Sequence, residues 1–281
     1  MPTNVVLCKE CGLGYLNPRW DRESYLRFYR KEYDKYYRPD ISKIELSESA
    51  NHPIGMRFKK YDLLPKEVKN ILDIGSGEGS NLRYFKSLFP NSKLFAIEPS
   101  TESQKHLEKL GVCIVDDDVD NSWHRDYQSK FDIIIMRHVI EHFMNPVQIM
   151  TKIRSILSSS GVVYLAAPNN LNPVQRLESS WFRNVHTYYF NKYSLRNLLK
   201  IAGFKPLLLV EGDEFNIGEV YLVARKSDIE SRPEFTRRHY EEQLVVFTKK
   251  LKNDRNVLHS GIRLMKNIFN KLLLLAKSKR Q

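Results

Sequence analysis

Apolar and polar positions along this chain change their period in a repeating order. Short apolar runs at Ile71–Ile74, Lys93–Ile97, Val112–Val115, Phe131–Met136 and Gly161–Ala166 alternate with segments whose apolar residues recur at helical spacing. Those segments, 79–89, 100–110 and 145–157, predict helices. The first two runs and Ile133–Met136 are continuous rather than alternating, as expected of parallel strands covered on both faces. Repeated strand–helix units of this length predict an α/β fold, a doubly wound sheet with right-handed crossovers. Ligands of such sheets sit at the carboxyl ends of the strands, near the point where strand order reverses.

The flanks read differently. Residues 21–67 are aromatic and basic, with Tyr25, Phe28, Tyr29, Tyr33, Tyr36 and Tyr37 among them at helical spacing. Stripes of this kind usually face a core; here they predict helices lying as a lid over the ligand site, with Arg57 in reach of an acceptor carboxylate. Residues 234–281 predict one or two further helices. Leu244, Phe247, Leu251, Leu258, Met265, Ile268, Leu272 and Leu275 follow a 3-4 spacing, interrupted at Asp254 and Gly261. Three parts follow: an arm and lid over 1–54, a ligand-binding domain over 55–226 and a basic tail over 227–281.

Composition narrows the class. With 42% hydrophobic residues, 14 Phe and 15 Tyr in 281 residues, the chain can fill a sizeable core. It has no apolar run of about 18 residues, and its first residues lack the basic and apolar segments of a secretory signal. Three cysteines argue against a disulfide scaffold, so a reducing cytoplasm is expected. The net charge is +12, but residues 226–281 carry 14 Lys and Arg against 6 Asp and Glu, leaving only +4 for the first 225. A general nucleic-acid surface is therefore disfavoured. For the basic tail, packing on the domain or on a second copy as a homodimer, contact with a membrane surface, and contact with RNA all stay open.

The chemistry begins where the first apolar run ends, in Asp73-Ile74-Gly75-Ser76-Gly77-Glu78-Gly79. Glycine permits positive φ and close approach of a ligand to the backbone, and the helix that follows offers unpaired N–H groups. An acid ahead of the first glycine opposes a pyrophosphate but suits a ligand carrying ammonium or sulfonium charge. Glu98 ends the second run, 21 residues beyond Gly77, where a carboxylate can accept both hydroxyls of a ribose. Among Asp116, Asp117 and Asp118, one carboxylate can accept an adenine amino group, Asp118 before Asp117.

These residues, with Phe131-Asp-Ile-Ile-Ile-Met-Arg-His-Val-Ile-Glu-His-Phe-Met-Asn-Pro146, resemble class I S-adenosylmethionine-dependent methyltransferases. The likeness covers about residues 55–225. It is strongest to the small-molecule branch that includes ubiquinone-pathway O-methyltransferases and sugar-tailoring enzymes. Gly161–Asn169 and His186–Phe204 also look like that branch. The resemblance implies a seven-stranded, mostly parallel sheet closed by an antiparallel hairpin, which Leu207–Val210 and Glu219–Val223 can supply. It also implies S-adenosylmethionine as cofactor, held by Asp73, Gly75, Ser76, Gly77, Glu98, Pro99, Asp117, Asp118 and Arg137. The acceptor expected is small and polar, a hydroxyl of a sugar, sugar nucleotide or glycan precursor. Cys8-x-x-Cys11 looks like half of a zinc-ribbon arm; the second pair is missing, and a reduced pair on a hairpin is expected.

As a bare pattern His138-Val-Ile-Glu141-His142 matches a metallopeptidase signature. It follows an apolar strand within two residues, and no third ligand is evident on a following helix, so no metal ligands are assigned. Beside a methyl group, His138, His142 or His186 could serve as general base, with Glu141 orienting the imidazole or binding a divalent ion that polarises the acceptor. Trp181, Tyr188 and Asn169, in the polar and aromatic segment 168–192, are expected to close over a polyhydroxylated acceptor.

Overall fold

A computed structural model describes residues 4–37, 52–229 and 231–256. A short hairpin, β1 (Asn4–Leu7) and β2 (Gly14–Asn17), opens the chain. It leads into the helices α1 (Arg22–Lys31), α2 (Tyr33–Tyr37) and α3 (Pro53–Lys60). Alternating units follow: β3 (Asn70–Ile74), α4 (Ser80–Leu88), β4 (Lys93–Ile97), α5 (Thr101–Lys109), β5 (Cys113–Asp116), β6 (Phe131–Arg137), α6 (Pro146–Ile156) and β7 (Leu157–Pro168). The chain continues through β8 (Tyr188–Tyr189), α7 (Lys192–Ile201), β9 (Phe204–Glu211) and β10 (Glu219–Lys226). A last helix, α8, runs through 237–256.

Seven strands form one sheet in the order β5-β4-β3-β6-β7-β10-β9. β3 to β7 run parallel, and β10 pairs antiparallel with both β7 and β9. The strand order reverses at β3 and β6, which places a crevice at their carboxyl ends. The expected doubly wound sheet with its closing hairpin is present, and the runs expected as strands and helices differ from the observed elements by a few residues at most ends. Burial explains the continuous apolar runs. Ile71, Leu72, Ile133, Ile134 and Ile135 are wholly inaccessible, because α-helices cover both faces of the sheet. Cys113, expected inside a core strand, is exposed, since β5 is the edge strand.

Local capping sets the helix starts. Asp21 and Ser100 accept from the backbone N–H groups of Ser24 and Ser103, and Asn145 from that of Gln148 with Pro146 in the first turn of α6. The N-terminal hairpin is not a separate unit. β2 pairs antiparallel with β8, so the arm and the 168–192 insertion share a three-stranded sheet. α8 closes over the same region: Gln243 is buried and bonds Asn191 and Asn170, and Phe247 packs on Leu177 and Trp181. Packing on the domain thus accounts for Phe247 and Leu251 of the tail pattern, whereas Leu244 is exposed; Leu258, Met265, Ile268, Leu272 and Leu275 lie outside the described residues. Among the described residues, no helix is long and apolar enough to cross a membrane.

Candidate active site

The turn after β3 is built for close approach. Gly75, Gly77 and Gly79 have φ of 69°, 57° and 79°, the left-handed region that favours glycine. A Cβ on Gly75 would stand 2.3 Å from Val139 Cγ1, so this turn and the loop after β6 fit together only without a side chain there. Beneath the turn, Asp73 is 1% exposed. One of its oxygens accepts from Asn81 at 3.1 Å, while the other, together with Ser76 Oγ and Asn81 Oδ1, has no hydrogen-bond partner. Burial, with Glu98 and Glu78 nearby, pushes the Asp73 carboxyl up to about 8. Unpartnered buried oxygens and a carboxyl that lacks a counter-charge suit a cationic, donor-rich ligand.

A cleft of about 250 Å³ opens beside this turn. Gly75, Glu98, Pro99, Asp117, Asp118 and Val119 line one side, at the ends of β3, β4 and β5. Glu98 is 3% exposed and accepts from the backbone N–H of Gly77 at 2.8 Å and of Ser100 at 3.0 Å. Both bonds fix the carboxylate at the cleft wall. Asp118 is buried and bonded to Arg22, whereas Asp117 is half-exposed and pairs with Arg30 at 2.7 Å. Both arginines come from α1. Of the nine expected cofactor residues, six line the cleft; Asp73, Ser76 and Gly77 lie behind its wall.

The other side is assembled from distant segments. Tyr25, Leu26, Tyr29 and Tyr33 from α1 and α2 face Arg137, His138, Val139, His142, Phe143 and Met144. Three tyrosines of the aromatic stripe thus line the cleft, whereas Tyr36 is 72% exposed. His138 has φ of 54° and puts Nε2 2.9 Å from Glu219 and Nδ1 3.7 Å from Glu141. Burial opposes its charge, but the two carboxylates outweigh this and raise it to about 9. As a cation at neutral pH, His138 cannot serve as the base expected of it. His142 lines the cleft with Nδ1 2.8 Å from both Tyr29 Oη and the Val185 carbonyl. His186 lies outside the cleft, 8% exposed, its ring 4.9 Å from that of His142; burial chiefly, then His142, lowers it to about 3. Glu141 is 2% exposed; burial opposes its charge, yet the neighbouring histidines hold it near 2.

Two expectations for the acceptor side fail. Arg57 does not reach toward an acceptor. It is 1% exposed, bonded to Asp213 at 2.7 Å, to Glu219 at 2.5 Å and to Tyr164 at 2.6 Å, and its guanidinium lies over the Tyr221 ring. Trp181, Tyr188 and Asn169 do not line the cleft. Trp181 donates to Asn170, Tyr188 to the Met144 carbonyl, and Asn169 to Glu211, so the insertion is packed structure.

Three residues escaped the sequence. Glu219, 0% exposed at the start of β10, holds Arg57, Arg137 and His138 together. Arg22 and Arg30 latch α1 onto the acid run. No local pattern marks them; each gains its role from a partner about 80 or more residues away. Cys8 and Cys11 are free and half-buried in the β1–β2 turn, and burial chiefly raises the Cys11 thiol to about 11. Among the described residues, no group with metal-ligand spacing contains either cysteine or His52.

A reversed sheet order, a glycine turn over a buried acid and a ribose-ready carboxylate on the next strand define a methyltransferase of the class I, Rossmann-like kind, with S-adenosylmethionine as the cofactor the site fits. The chain belongs to the family described as "Methyltransferase domain", whose model matches residues 45–209. A curated relative from Papaver bracteatum, named "Probable (S)-tetrahydroprotoberberine N-methyltransferase 2", is 22% identical over 134 residues, 46% of this chain. The chain spans 36% of that relative's length. Among solved structures, the Burkholderia thailandensis 1,6-didemethyltoxoflavin-N1-methyltransferase superposes with a TM-score of 0.54 at 16% identity, over 81% of this chain and 100% of its own. That protein was solved with 1,6-didemethyltoxoflavin and S-adenosylhomocysteine bound. An S-adenosylmethionine-dependent methyltransferase from Mesorhizobium loti gives 0.50 at 14% identity, over 61% and 96% of the two chains. These likenesses carry the fold.

Proposed function

We propose that the protein transfers the methyl group of S-adenosylmethionine to a small-molecule acceptor held under α1. The observation that carries this reading is the two-sided cleft, with glycines and acids from β3 to β5 on one wall and tyrosines facing the 137–144 loop on the other. The bound cofactor supplies a sulfonium methyl carbon, already a strong electrophile. The chain's own residues bind and orient. Glu98 accepts from ribose hydroxyls, Asp118 from the adenine amine, and Arg137 offers a cation to a carboxylate. Asp73, protonated in the cofactor-free protein, lies buried under the turn, where a cationic cofactor would favour its charged form. Tyr25, Tyr29 and Tyr33 give flat walls that position an acceptor and displace water, and positioning alone can supply several kcal/mol of an in-line transfer, roughly 7–11 at best.

Among the described residues, no imidazole turns an unengaged nitrogen into the cleft; His142 Nε2 faces Glu141 at 4.0 Å. Both nitrogens of His138 face carboxylates, Nδ1 of His142 is bonded, and His186 lies outside. A saturated alcohol needs a base; a neutral amine, a ring nitrogen with a free lone pair or a phenol acidic enough to ionise in solution needs none from the protein. We therefore favour a nitrogen or an acidic hydroxyl on a flat ring system. The nitrogen-methylating names of the two relatives above support that class. The sugar hydroxyl expected from the sequence retains one support, the acids and phenols at the cleft rim, and it loses the grip of Trp181, Tyr188 and Asn169.

Calorimetry with S-adenosylmethionine and S-adenosylhomocysteine tests the first part. Mass spectrometry with panels of cyclic amines, phenols and nucleotide sugars tests the second. Saturable binding of both nucleosides and methylated amines or phenols are expected. Absence of cofactor binding overturns the enzyme reading, and methylation confined to sugars reverses the acceptor choice.

A further inference from the structure

We propose that Glu141, His142 and His186 form a binding site for a divalent ion of the zinc type, at the edge of the acceptor side of the cleft. Glu141 and His142 belong to the turn after β6, and His186 to the insertion before β8. Tertiary folding thus supplies the third ligand that no following helix offers. One ligand atom from each lies within 4.8 Å of the other two. Ligand atoms around a tetrahedral zinc stand about 3.4 Å apart, given metal bonds of about 2.1 Å, so small side-chain rotations close the set. The two rings meet at 69°, an edge-to-face arrangement that lets each aim a nitrogen at a shared point.

Proton placement points the same way. Nδ1 of His142 stands 2.8 Å from both the Val185 carbonyl, which can only accept, and the Tyr29 hydroxyl, which can accept or donate; a hydrogen on Nδ1 satisfies both contacts. In the neutral ring the lone pair is then on Nε2, which faces Glu141 Oε1 at 4.0 Å. A lone pair aimed at a carboxylate calls for a cation between them. Donating the remote N–H to a backbone carbonyl is also what metal-ligating histidines do, since it fixes the tautomer and the ring. Independently, Glu141 is 2% exposed and its Oε2 has no hydrogen-bond partner, a buried unsatisfied oxygen on one of the three ligand residues. Two imidazoles and one carboxylate select zinc and its first-row neighbours over calcium or magnesium. Three protein ligands leave a position open, the mark of a catalytic rather than a structural site.

His142 lines the cleft, so the ion would touch the acceptor side. There it would draw electron density from an acceptor oxygen and lower the pKa of its hydroxyl, adding oxygen acceptors to a cleft that offers no free base. This last consequence rests on the methyltransferase reading; ion binding does not. The competing account is that His138, 3.7 Å from Glu141 on the other flank, and a protonated His142 neutralise the carboxylate without any metal.

The test uses the full chain, stripped with chelator, in a Cys8→Ser/Cys11→Ser background so that thiols take no ion. Zinc is titrated calorimetrically and cobalt by visible absorption. The expected result is one ion per chain, a cobalt spectrum without thiolate charge-transfer bands, and zinc-induced shifts of the His142 and His186 ring nitrogens in NMR. His186→Gln should weaken binding by more than about 100-fold, beyond the cost of an outer-shell change. His186→Gln alters a ligand outside the cleft, and its circular dichroism reports whether it folds. If it does not, the ring-nitrogen shifts of the unsubstituted cluster decide. No saturable binding, unmoved ring signals, or equal binding by a folded His186→Gln overturns the proposal. Cofactor binding with no metal binding sinks only the ion; the reverse sinks only the methyltransferase reading.

Discussion

The two walls of the cleft are made in different ways. The cofactor wall comes from three successive strand ends within residues 73–118, and its working parts are backbone: glycines at positive φ, and N–H groups that clamp Glu98. The acceptor wall joins α1, α2 and the loop after β6, and β10 braces it from behind. Its parts are side chains held by ion pairs, with Glu219 binding cations from α3, β6 and the loop. A wall of backbone is fixed by the sheet and suits a constant ligand. A wall of side chains from distant segments can change one partner at a time, which is how one fold serves many acceptors.

That contrast can be broken by substitution. Arg57→Met should have the largest effect, because it leaves Asp213 buried without its cation and Glu219 with only Arg137 and His138. Stability by urea unfolding should fall by about 3–5 kcal/mol, while the cofactor wall keeps its geometry. A loss under 1 kcal/mol would mean that the Arg57 cluster does not brace the acceptor wall. Glu98→Gln replaces a charged acceptor by a neutral one; S-adenosylmethionine affinity should drop by roughly 10–100-fold, the worth of about 1.5–3 kcal/mol for bonds to a charged group. Unchanged affinity would remove Glu98 from the ribose.

A third prediction uses pH. The Asp73 carboxyl keeps its proton in the folded protein to about 8, against 3.8 ordinarily. Folding therefore takes up a proton between those values, and this group's contribution falls as pH rises from about 4 to 8. Asp73→Asn should raise the Tm of the cofactor-free protein by a few degrees at pH 8, the gain shrinking toward pH 4, while weakening cofactor binding. A pH-independent difference would contradict the buried, uncompensated carboxyl. The smallest effect belongs to Trp181→Phe. It loses the 2.7 Å bond to Asn170, worth about 1 kcal/mol of stability, and should leave cofactor affinity and turnover unchanged. A fall in turnover with intact stability would return the insertion to the acceptor site.

Read residue by residue, the chain announces much of this. The glycine turn, Glu98, Asp118 and the position of the His138–His142 loop were legible because each follows directly from a strand end. The aromatic stripe points to a wall over the site, since Tyr25, Tyr29 and Tyr33 recur at helical spacing, although the chain breaks them between α1 and α2. Arg57 reads as free because no acid stands within one helical turn of it in sequence; Asp213 and Glu219 stand more than 150 residues away. Trp181, Tyr188 and Asn169 looked exposed because a polar segment between strands normally is, but β2 pairs with it and α8 covers it. His138 looked like a base until Glu219 was found against its ring.

Alone, the sequence determined the sheet, its ligand edge and the cationic nucleoside that edge accepts, because period, glycine positions and strand-end acids act over a few residues. Only the tertiary structure decided the charge on His138, the captivity of Arg57 and the meeting of Glu141 and His142 with His186. Those depend on burial and on Coulomb partners that chain order does not reveal.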